Sequence, residues 1–268
     1  MDGPGGTMPR SDLVPAELFS CAGQVSLVTG GASGIGLASA EALGAAGSRV
    51  AIAGLAASDP AGAAADLAAR GLDVVGLECD VTDAVQLAGL VDAIVGRWGR
   101  IDTVVANAGA ALDAPDPEDP NVALERMFAL HVGSVARLAA LALPITAAGG
   151  GGSFIVMSSI AGLRGNRMLS GYGVTKAANA QIARNIAVQW GGRGIRANSL
   201  SPGVIATEFA RPITDDVVAA PARLGKTPLA RFGRAEEVAG AVVWLASRAG
   251  AFVSGQNIVI DGGTLISD

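Results

Sequence analysis

Hydrophobic and polar positions alternate along the chain in two repeating kinds of segment. Short apolar runs rich in β-branched residues are each followed by a turn and then by a longer stretch, rich in Ala and Leu, with apolar residues at helical spacing. This alternation predicts an α/β fold, a parallel sheet with helices on both faces. The runs are short and uniformly apolar, as strands that are buried on both faces should be.

The pattern predicts seven strands and six long helices. The strands are expected over residues 25–29, 49–53, 73–77, 102–105, 153–158, 195–200 and 257–260. The helices are expected over residues 35–46, 60–70, 83–97, 121–143, 172–190 and 235–247. The irregular stretch from Pro202 to about Gly233 is too long for an ordinary connection. We therefore predict a substrate lid at about 203–233.

The domain organisation follows from the absence of any linker, composition shift or internal repeat in the 268 residues. We expect a single domain over residues 23–268, after a flexible tail of residues 1–22. The tail carries Gly, Pro and acidic residues where a secretory signal needs an apolar run. Leu138 to Met157 is an uncharged segment long enough to span a membrane. Pro144 and the glycines at 149–152 should divide it into a helix end, a turn and a strand.

Composition and charge limit the classes of binding partner that can be expected. Half of the residues are hydrophobic and only 16% are charged, which excludes a disordered chain. The net charge of −5 provides no general basic field for nucleic acid or an anionic membrane, so small molecules or other protein chains are expected as partners. Cys21 and Cys79 form no CxxC pair, so we expect no disulfide framework, no metal site and a cytoplasmic location.

A glycine-rich turn follows the first predicted strand and opens a helix. Its glycines, Gly30, Gly34 and Gly36, allow a tight turn, close approach of a pyrophosphate and close packing of helix on strand. The helix N-terminus, with Ser33 and Ile35, offers unpaired N–H groups and a positive dipole end to an anion. The turn therefore predicts a dinucleotide site, although a glycine-rich chain also contains ordinary turns.

Further polar residues follow the third and fourth predicted strands, at the edge where such a sheet binds ligands. Asp80, followed by Val81, either accepts a hydrogen bond from an adenine amino group or caps the helix that starts near Asp83. Asn107, with Ala108 and Gly109, either contacts the cofactor or only forms a turn. Spacing alone leaves both choices open.

Tyr172 and Lys176 carry the sharpest chemical signal. Tyr172 is the only tyrosine and Lys176 is one of two lysines. Four residues apart on a helix, they lie on one face, where an ammonium group should lower the pKa of the phenol toward neutrality and favour proton transfer. Ser159, at the end of the fifth predicted strand, can place its hydroxyl in the same crevice. The alternative for Tyr172 and Lys176 is a surface pair, and the alternative for Ser159 is a helix cap or turn.

Several motifs in order together resemble the short-chain dehydrogenase/reductase family. They are TGGASGIG at 29–36, NAG at 107–109, Ser159 with YGVTK at 172–176, SPG at 201–203 and SGQNIVIDGG at 254–263, within a resemblance that covers Val25 to Gly263.

The resemblance implies a Rossmann sheet of seven strands and a nicotinamide cofactor. It implies that Tyr172 is the acid/base, that Ser159 positions the substrate oxygen, and that Lys176 binds the nicotinamide ribose and acidifies Tyr172. It extends the cofactor site to Pro202, Gly203, Ile205 and Thr207. Family members are usually tetramers or dimers, so a homotetramer or dimer is expected.

The chain departs from the family pattern at His131, its only histidine. The family usually has Asn here, on the long central helix, where it holds a water that links the catalytic Lys to solvent. An imidazole can donate or accept at either nitrogen, so His131 either joins this relay as a catalytic residue or is a buried structural residue. In the relay, its titration should add an acidic limb to the pH–rate profile.

A second departure concerns the choice of cofactor. After the second strand, where an NAD enzyme usually presents Asp and an NADP enzyme often presents Arg, this chain has Gly54 and Leu55. Ser33 leaves no cation in the glycine-rich turn for a 2′-phosphate, and the loop at Asp59 is close enough in sequence to fold back on the ribose. NAD is therefore favoured over NADP.

The resulting prediction is an oxidoreductase that transfers a hydride between a nicotinamide cofactor and a secondary alcohol or ketone. Apolar residues on the expected pocket loops suggest an apolar or alicyclic substrate: Leu163, Met168, Leu169, Val204, Ile205 and Phe209. The alternative is a non-catalytic dinucleotide-binding sensor or scaffold, suggested only by the replacement of Asn at His131.

Overall fold

A computed structural model of the chain describes residues 14–110, 120–165 and 170–267. Its strands are β1 (Val25–Thr29), β2 (Arg49–Gly54), β3 (Val74–Glu78), β4 (Thr103–Ala106), β5 (Gly152–Met157), β6 (Ile195–Pro202) and β7 (Asn257–Ile260). They form one parallel sheet in the order β3-β2-β1-β4-β5-β6-β7. The predicted parallel α/β sheet of seven strands is confirmed.

The helices fill the connections between the strands. They are α1 (Pro15–Leu18), α2 (Gly34–Ala45), α3 (Pro60–Ala69), α4 (Ala84–Trp98), α5 (Pro120–Phe128), α6 (Ser134–Ala148), α7 (Ser170–Trp190), α8 (Arg211–Thr214), α9 (Ala219–Leu224) and α10 (Ala235–Ala246). A π-helical segment, Ala129–Gly133, joins α5 to α6. The six predicted long helices are present within a few residues of their expected limits.

Pro144 does not end its helix, contrary to the sequence prediction. The helix continues to Ala148, and the break falls at the glycines, where Gly150 and Gly151 have φ of 101° and 104°. Proline costs a helix one backbone hydrogen bond, but tertiary packing can offset that loss. Ala142 and Leu143 beside it are buried against the sheet.

The predicted irregular stretch after β6 is partly helical. It contains the 3-10 turn Glu208–Ala210 and the short helices α8 and α9. A parallel bridge between Ile205 and Gly233 brings the two ends of this stretch together.

The predicted flexible tail is ordered in its last part. Residues 1–13 lie outside the described part of the chain, but residues 15–18 form α1. Cys21 is completely buried, and its N–H donates a hydrogen bond to the Ala46 carbonyl at 2.7 Å. Cys21 therefore anchors the chain at the end of α2, while α1 has no buried residues and the flexibility of the tail stays a prediction.

Two hydrophobic clusters hold the sheet between its helical layers. On one face α4, α6 and α7 pack over β1, β4 and β5, and on the other face α2, α3 and α10 pack over the sheet. The helix Val122–Ala148 is long and apolar enough to cross a membrane, with a mean hydropathy of 1.6. In the structure its residues Val135, Leu138 and Leu143 lie buried in the first cluster.

The sheet topology sets the position of the site. The chain moves from β1 to β2 and β3 on one side, and returns to start β4 on the other side of β1. This reversal leaves a crevice beyond the carboxyl ends of β1 and β4, where open α/β sheets bind their ligands.

Candidate active site

A cavity of about 290 Å³ lies at this crevice, and we call it the central cavity. Residues from the glycine-rich turn, from the ends of β4, β5 and β6, and from α7 and the stretch after β6 line it. Of the predicted site residues, the lining includes Gly30, Ser33, Gly34, Ile35, Asn107, Ala108, Gly109, Ser159, Tyr172, Lys176, Pro202, Gly203, Ile205 and Thr207. Five separate stretches of sequence therefore meet in one place.

The glycine-rich turn has a shape that requires its glycines. Gly30 and Gly34 have φ of 64° and 52°, in the left-handed region. A Cβ on Gly36 would lie 2.0 Å from the Gly30 carbonyl oxygen, so only glycine fits there. Ser33 begins α2 without a side-chain cap, which leaves its hydroxyl and the first N–H groups of the helix free for an anion. This cradle fits a pyrophosphate.

Asn107 braces this turn from the neighbouring strand. Its side-chain nitrogen donates hydrogen bonds to the carbonyl oxygens of Thr29 and Gly30, each at 3.1 Å. Its backbone N–H donates to Thr29 Oγ1 at 3.1 Å. The amide nitrogen is thus occupied by the protein, so Asn107 shapes the cofactor cradle more than it offers a donor to a ligand.

The outer part of the predicted dinucleotide site lies at the ends of β2 and β3. Gly54, Asp80 and Val81 lie there, outside the lining of the central cavity. Asp80 does not cap α4: its Oδ1 accepts from Thr82 N and Oγ1 at 2.8 and 2.7 Å, and Asp83 is the cap. The capping alternative for Asp80 is therefore wrong, and the adenine contact stays a prediction.

Asp59 caps α3 in the structure. It has a left-handed backbone, φ 47°, and its carboxylate accepts from the Gly62 N–H at 2.9 Å, which caps α3. The carboxylate therefore serves as the cap of α3, and the expected approach of this loop to the ribose stays a prediction.

Ser159 and Tyr172 are brought together as predicted. Both side chains line the central cavity, and the Ser159 hydroxyl lies close enough to the Tyr172 phenol to lower its pKa. The Ser159 Oγ also accepts from the Ala161 N–H at 3.1 Å, so it caps the 3-10 turn Ile160–Gly162 as well. The two alternatives for Ser159, active-site hydroxyl and cap, therefore hold at once, and the cap fixes the hydroxyl beside Tyr172.

Lys176 lies beneath Tyr172 and is only 4% exposed. Its Nζ lies 5.5 Å from the centre of the Tyr172 ring and donates a hydrogen bond to the Met157 carbonyl at 2.9 Å. Burial lowers the pKa of Lys176 to about 8.

The expected acidification of Tyr172 is not found. Burial raises the pKa of Tyr172 to about 12, although the hydrogen bond from Ser159 opposes this shift. Desolvation of the phenolate outweighs the nearby ammonium, which is directed at the Met157 carbonyl. Tyr172 is therefore protonated at neutral pH and ready to donate.

His131 is completely buried on the π-helical segment and both its ring nitrogens are occupied. Nε2 accepts from the Ala110 N–H at 3.2 Å, so Nδ1 carries the proton and donates to Thr175 Oγ1 at 2.8 Å. The Thr175 hydroxyl donates in turn to the Tyr172 carbonyl at 2.9 Å.

Burial, with the charge of Lys176, lowers the pKa of His131 to about 3. The imidazole is neutral at any working pH, so an acidic limb from its titration near neutrality is not expected. Since neither nitrogen is free, the relay interpretation loses its geometric basis. The His131 ring instead meets the Tyr172 ring edge to face, 5.6 Å between centres at 86°.

Three residues that the sequence reasoning passed over contribute to this arrangement. A Cβ on Gly162 would lie 2.6 Å from Ala177 N, and one on Gly173 would lie 2.7 Å from the Ala161 carbonyl oxygen. These glycines let the Ser159 turn approach α7 closely, and Thr175 links His131 to α7. The glycine within YGVTK is a signal that was available in the sequence.

The residues predicted to contact substrate divide into three groups. Val204, Ile205 and Phe209 line the central cavity, and the Phe209 ring lies 6.4 Å from the Tyr172 ring. Leu163 is 42% exposed and does not line the cavity. Met168 and Leu169 lie outside the described residues.

The fold and this site define a nicotinamide-dependent dehydrogenase of the doubly wound α/β class, and comparison with known proteins agrees. Residues 30–264 match a family model described as enoyl-(acyl carrier protein) reductase. A tropinone reductase homolog of Arabidopsis thaliana is 35% identical over 254 residues, 93% of this chain and 81% of the relative. The cis-4-hydroxycyclohexanecarboxylate dehydrogenase of Sinomonas cyclohexanicum is 38% identical over 90% of this chain and 96% of its own.

Solved structures share the whole architecture. The NADPH-dependent 3-quinuclidinone reductase of Rhodotorula rubra superposes with a TM-score of 0.89 at 30% identity, covering 99% of this chain and all of its own. The chain belongs to the short-chain dehydrogenase/reductase family. It is an NAD(P)-dependent oxidoreductase for alcohols or ketones, and nothing in the comparisons supports the sensor or scaffold alternative.

Proposed function

We propose that Tyr172 is the general acid/base for a secondary alcohol or ketone, with Ser159 beside it as the second hydroxyl on the substrate oxygen. The observation that carries this proposal is that Ser159 and Tyr172 both line the wall of the central cavity, with the Lys176 Nζ 5.5 Å from the centre of the Tyr172 ring. A preorganised pair of donors at one point is what a developing alkoxide requires.

The cofactor fits the observed cradle. Its pyrophosphate would lie at Ser33 and Gly34, on the N-terminus of α2, and its nicotinamide half would extend past Asn107 toward Lys176. The nicotinamide supplies or accepts the hydride, which is chemistry that side chains do not perform. The protein holds it and excludes water from the same cavity.

The side chains of the protein transfer one proton to or from the substrate oxygen. In ketone reduction, Tyr172 donates a hydrogen bond to the carbonyl oxygen and gives up its proton as that oxygen becomes an alkoxide, while Ser159 donates a second bond. In alcohol oxidation the phenolate takes the hydroxyl proton. Because the pKa of Tyr172 is raised to about 12, the resting phenol is ready for reduction, and the nearby Lys176 ammonium stabilises the phenolate that forms.

His131 acts as a positioning residue in this scheme. Through Ala110 on one side and Thr175 on the other, it ties the segment after β4 to the helix that carries Tyr172. Its ring also supports the Tyr172 ring by edge-to-face contact. The role is rigidity rather than proton transfer.

For the substrate, we propose an apolar or alicyclic alcohol or ketone. Ile160, Phe209 and Ile213 give the lining an apolar wall near Tyr172. A ring placed against Phe209 would bring its carbinol carbon toward the two hydroxyl groups. The relatives named for hydroxycyclohexanecarboxylate and quinuclidinone act on cyclic molecules, which supports this class.

For the cofactor, we propose NAD with only modest discrimination against NADP. The segment Leu55–Asp59 carries no basic side chain to meet a 2′-phosphate, and Asp59 is occupied at α3. One solved relative is named as NADPH-dependent and another as complexed with NADH, so related chains bind either form. We further propose that the protein is a cytoplasmic homotetramer or dimer. It should have no nucleic-acid or membrane partner, because its net charge is negative.

Replacing Tyr172 with Phe tests the central assignment. We expect turnover to fall by roughly 10²–10⁴, since only the acid/base hydroxyl is removed. Affinity for the reduced cofactor should stay within about twofold, because the cradle is untouched. Turnover of a panel of cyclic alcohols and ketones is followed at the reduced nicotinamide band, and cofactor binding is followed by fluorescence titration. Near-normal turnover in the variant would disprove the mechanism.

A further inference from the structure

We propose that the substrate carries a carboxylate, and that Arg164 and Arg223 bind it in the wall of the central cavity. This inference rests on the proposed function, because it names the substrate class of the same site. Its basis is the charge distribution in the cavity lining rather than the catalytic residues.

The two arginines reach the cavity from opposite parts of the chain. Arg164 follows the 3-10 turn Ile160–Gly162 that Ser159 caps, and Arg223 lies on α9 in the stretch after β6. Both are half-buried and both line the cavity that Tyr172 lines. A molecule in the cavity therefore has one guanidinium available from the segment after β5 and another from the stretch after β6.

No carboxylate of the described residues neutralises them. Glu208 is the one acidic residue in the described lining, and it forms a salt bridge with Arg211 at 3.0 Å. Among residues 14–110, 120–165 and 170–267, neither Arg164 nor Arg223 forms a salt bridge. The wall of the cavity thus has excess positive charge in a protein whose net charge is −5.

Excess cationic charge in a concave, partly apolar site attracts and orients an anion. Guanidinium groups match carboxylates in particular, because the planar fork donates two parallel hydrogen bonds. Phe209 and Ile213 line the same cavity, and the Phe209 ring lies 6.4 Å from the Tyr172 ring, so the lining suits an apolar ring or chain that separates the carboxylate from the carbinol. The ligand that matches the lining is a hydroxy or keto acid with an apolar body.

The anion that competes with this assignment is the cofactor, whose phosphates are also negative. The pyrophosphate already has the free N–H groups at the start of α2 and the Ser33 hydroxyl. Arg164 follows the turn that Ser159 caps, so it belongs to the same segment as the hydroxyl proposed to contact the substrate. If the arginines served the cofactor instead, their loss would weaken cofactor binding and affect charged and neutral substrates equally.

The test compares cyclic hydroxy acids with their methyl esters in the wild type and in three variants. The ester keeps the ring and the carbinol but loses the charge. Arg164→Gln and Arg223→Gln remove the proposed contacts. Lys226→Gln is the matched control, because Lys226 is an exposed cation two residues after α9 that does not line the cavity.

We expect the wild type to favour the acid over its ester in kcat/KM by roughly 10–100-fold, as charge-assisted hydrogen bonds would give. Each arginine variant should lose roughly tenfold or more on the acid and little on the ester, with cofactor affinity unchanged. Lys226→Gln should behave as wild type. Equal rates on acid and ester in the wild type, or equal losses on both in the variants, would overturn the proposal.

A binding measurement separates this inference from the proposed function. Cyclohexanecarboxylate and cyclohexanemethanol are titrated calorimetrically into the protein with reduced cofactor bound, without any turnover. Tighter binding of the carboxylate, lost in Arg164→Gln and Arg223→Gln, supports the site even if no alcohol in the panel is oxidised. Equal binding of the two probes contradicts the carboxylate site, while loss of turnover in Tyr172→Phe still tests the acid/base assignment.

Discussion

His131 shows that the hydrogen-bond partners of a residue decide which role it can take. Its two nitrogens have one protein partner each, an N–H donor at Ala110 and a hydroxyl acceptor at Thr175, which fixes one neutral tautomer. Protonation would require breaking the bond from Ala110 inside a buried site, and the pKa of His131 is accordingly lowered to about 3. A proton relay needs a group that can both take and release a proton.

At the residue scale, we predict that replacing His131 changes the turnover rate but not the pH dependence of that rate. His131→Ala should lower kcat by roughly tenfold, because Ala110 and Thr175 lose their buried partners and the Tyr172 ring loses its support. The pH–rate profile should keep its shape between pH 5 and 9. The measurement is kcat and kcat/KM across that range in wild type and variant.

His131→Asn serves as the control for this prediction. Asn can replace one of the two hydrogen bonds but not the aromatic contact, so it should recover part of the lost rate. A wild-type acidic limb near pH 6 to 7 that disappears in His131→Ala would contradict the positioning role and restore the relay.

The connection between β2 and α3 shows the same dependence on context at the scale of an element. Gly54 ends β2, and a 3-10 turn, Ala56–Ser58, leads into α3. The Ser58 hydroxyl donates to the Leu55 carbonyl at 2.7 Å, and Asp59 caps α3. The loop thus satisfies its own polar groups and presents no charge for recognising the ribose.

A designed Asp at position 54 must fit this loop before it can select a cofactor. A Cβ on Gly54 would lie 2.6 Å from Ser58 Oγ, so Gly54→Asp alone should distort the loop. Combined with Ser58→Ala, it should raise the ratio of kcat/KM for NAD over NADP by roughly tenfold or more, through attraction to the ribose hydroxyls and repulsion of the 2′-phosphate.

Initial rates with both cofactors in the wild type, in Ser58→Ala and in the double variant measure this effect. Ser58→Ala alone should leave the ratio unchanged, since its hydroxyl bonds only the loop backbone. A strong NADP preference in the wild type would contradict our assignment. An unchanged ratio in the double variant would show that the ribose does not lie at position 54.

At the scale of the whole molecule, burial of the Lys176 ammonium group lowers the free energy of unfolding. The ammonium is almost completely buried between α7 and β5, and its Nζ has a carbonyl as partner rather than a carboxylate. The pKa of Lys176 is lowered to about 8, below its value in an unfolded chain, so the unfolded state binds this proton more tightly. Stability therefore decreases as the pH falls toward 8, and the full cost is present below that pH.

Lys176→Met should abolish activity and still stabilise the protein at pH 7. Removal of the buried charge should add up to about 3 kcal/mol to the free energy of unfolding. Loss of the hydrogen bond to the Met157 carbonyl should subtract about 1 kcal/mol from that gain. The gain should disappear near pH 10.5, where the lysine is neutral in both states. Urea denaturation at pH 7 and at pH 10.5 measures it.

Lys226→Met is the matched control for this experiment. Lys226 is the other lysine of the chain and is exposed, so its replacement should change stability little at either pH. Equal stability of Lys176→Met and wild type at pH 7, with folding intact, would show that the buried ammonium carries no cost.

The sequence by itself determined the elements of the fold and indicated the candidate reacting groups. Apolar runs of strand length and helical periodicity are local properties, so β1 through β7 and the long helices fell close to their predicted limits. The glycine-rich turn and the pair Tyr172 and Lys176 were visible because few residue types fit a tight turn or carry a phenol and an ammonium on one helix face.

Only the tertiary structure decided the protonation states and the partners. The raised pKa of Tyr172 and the neutral His131 depend on burial, and His131 also depends on hydrogen bonds to residues far apart in the sequence. The continuation of α6 past Pro144 likewise depends on packing against the sheet. Sequence specifies which groups are present, but electrostatic energies depend on distance and solvent access, which exist only once the chain has folded.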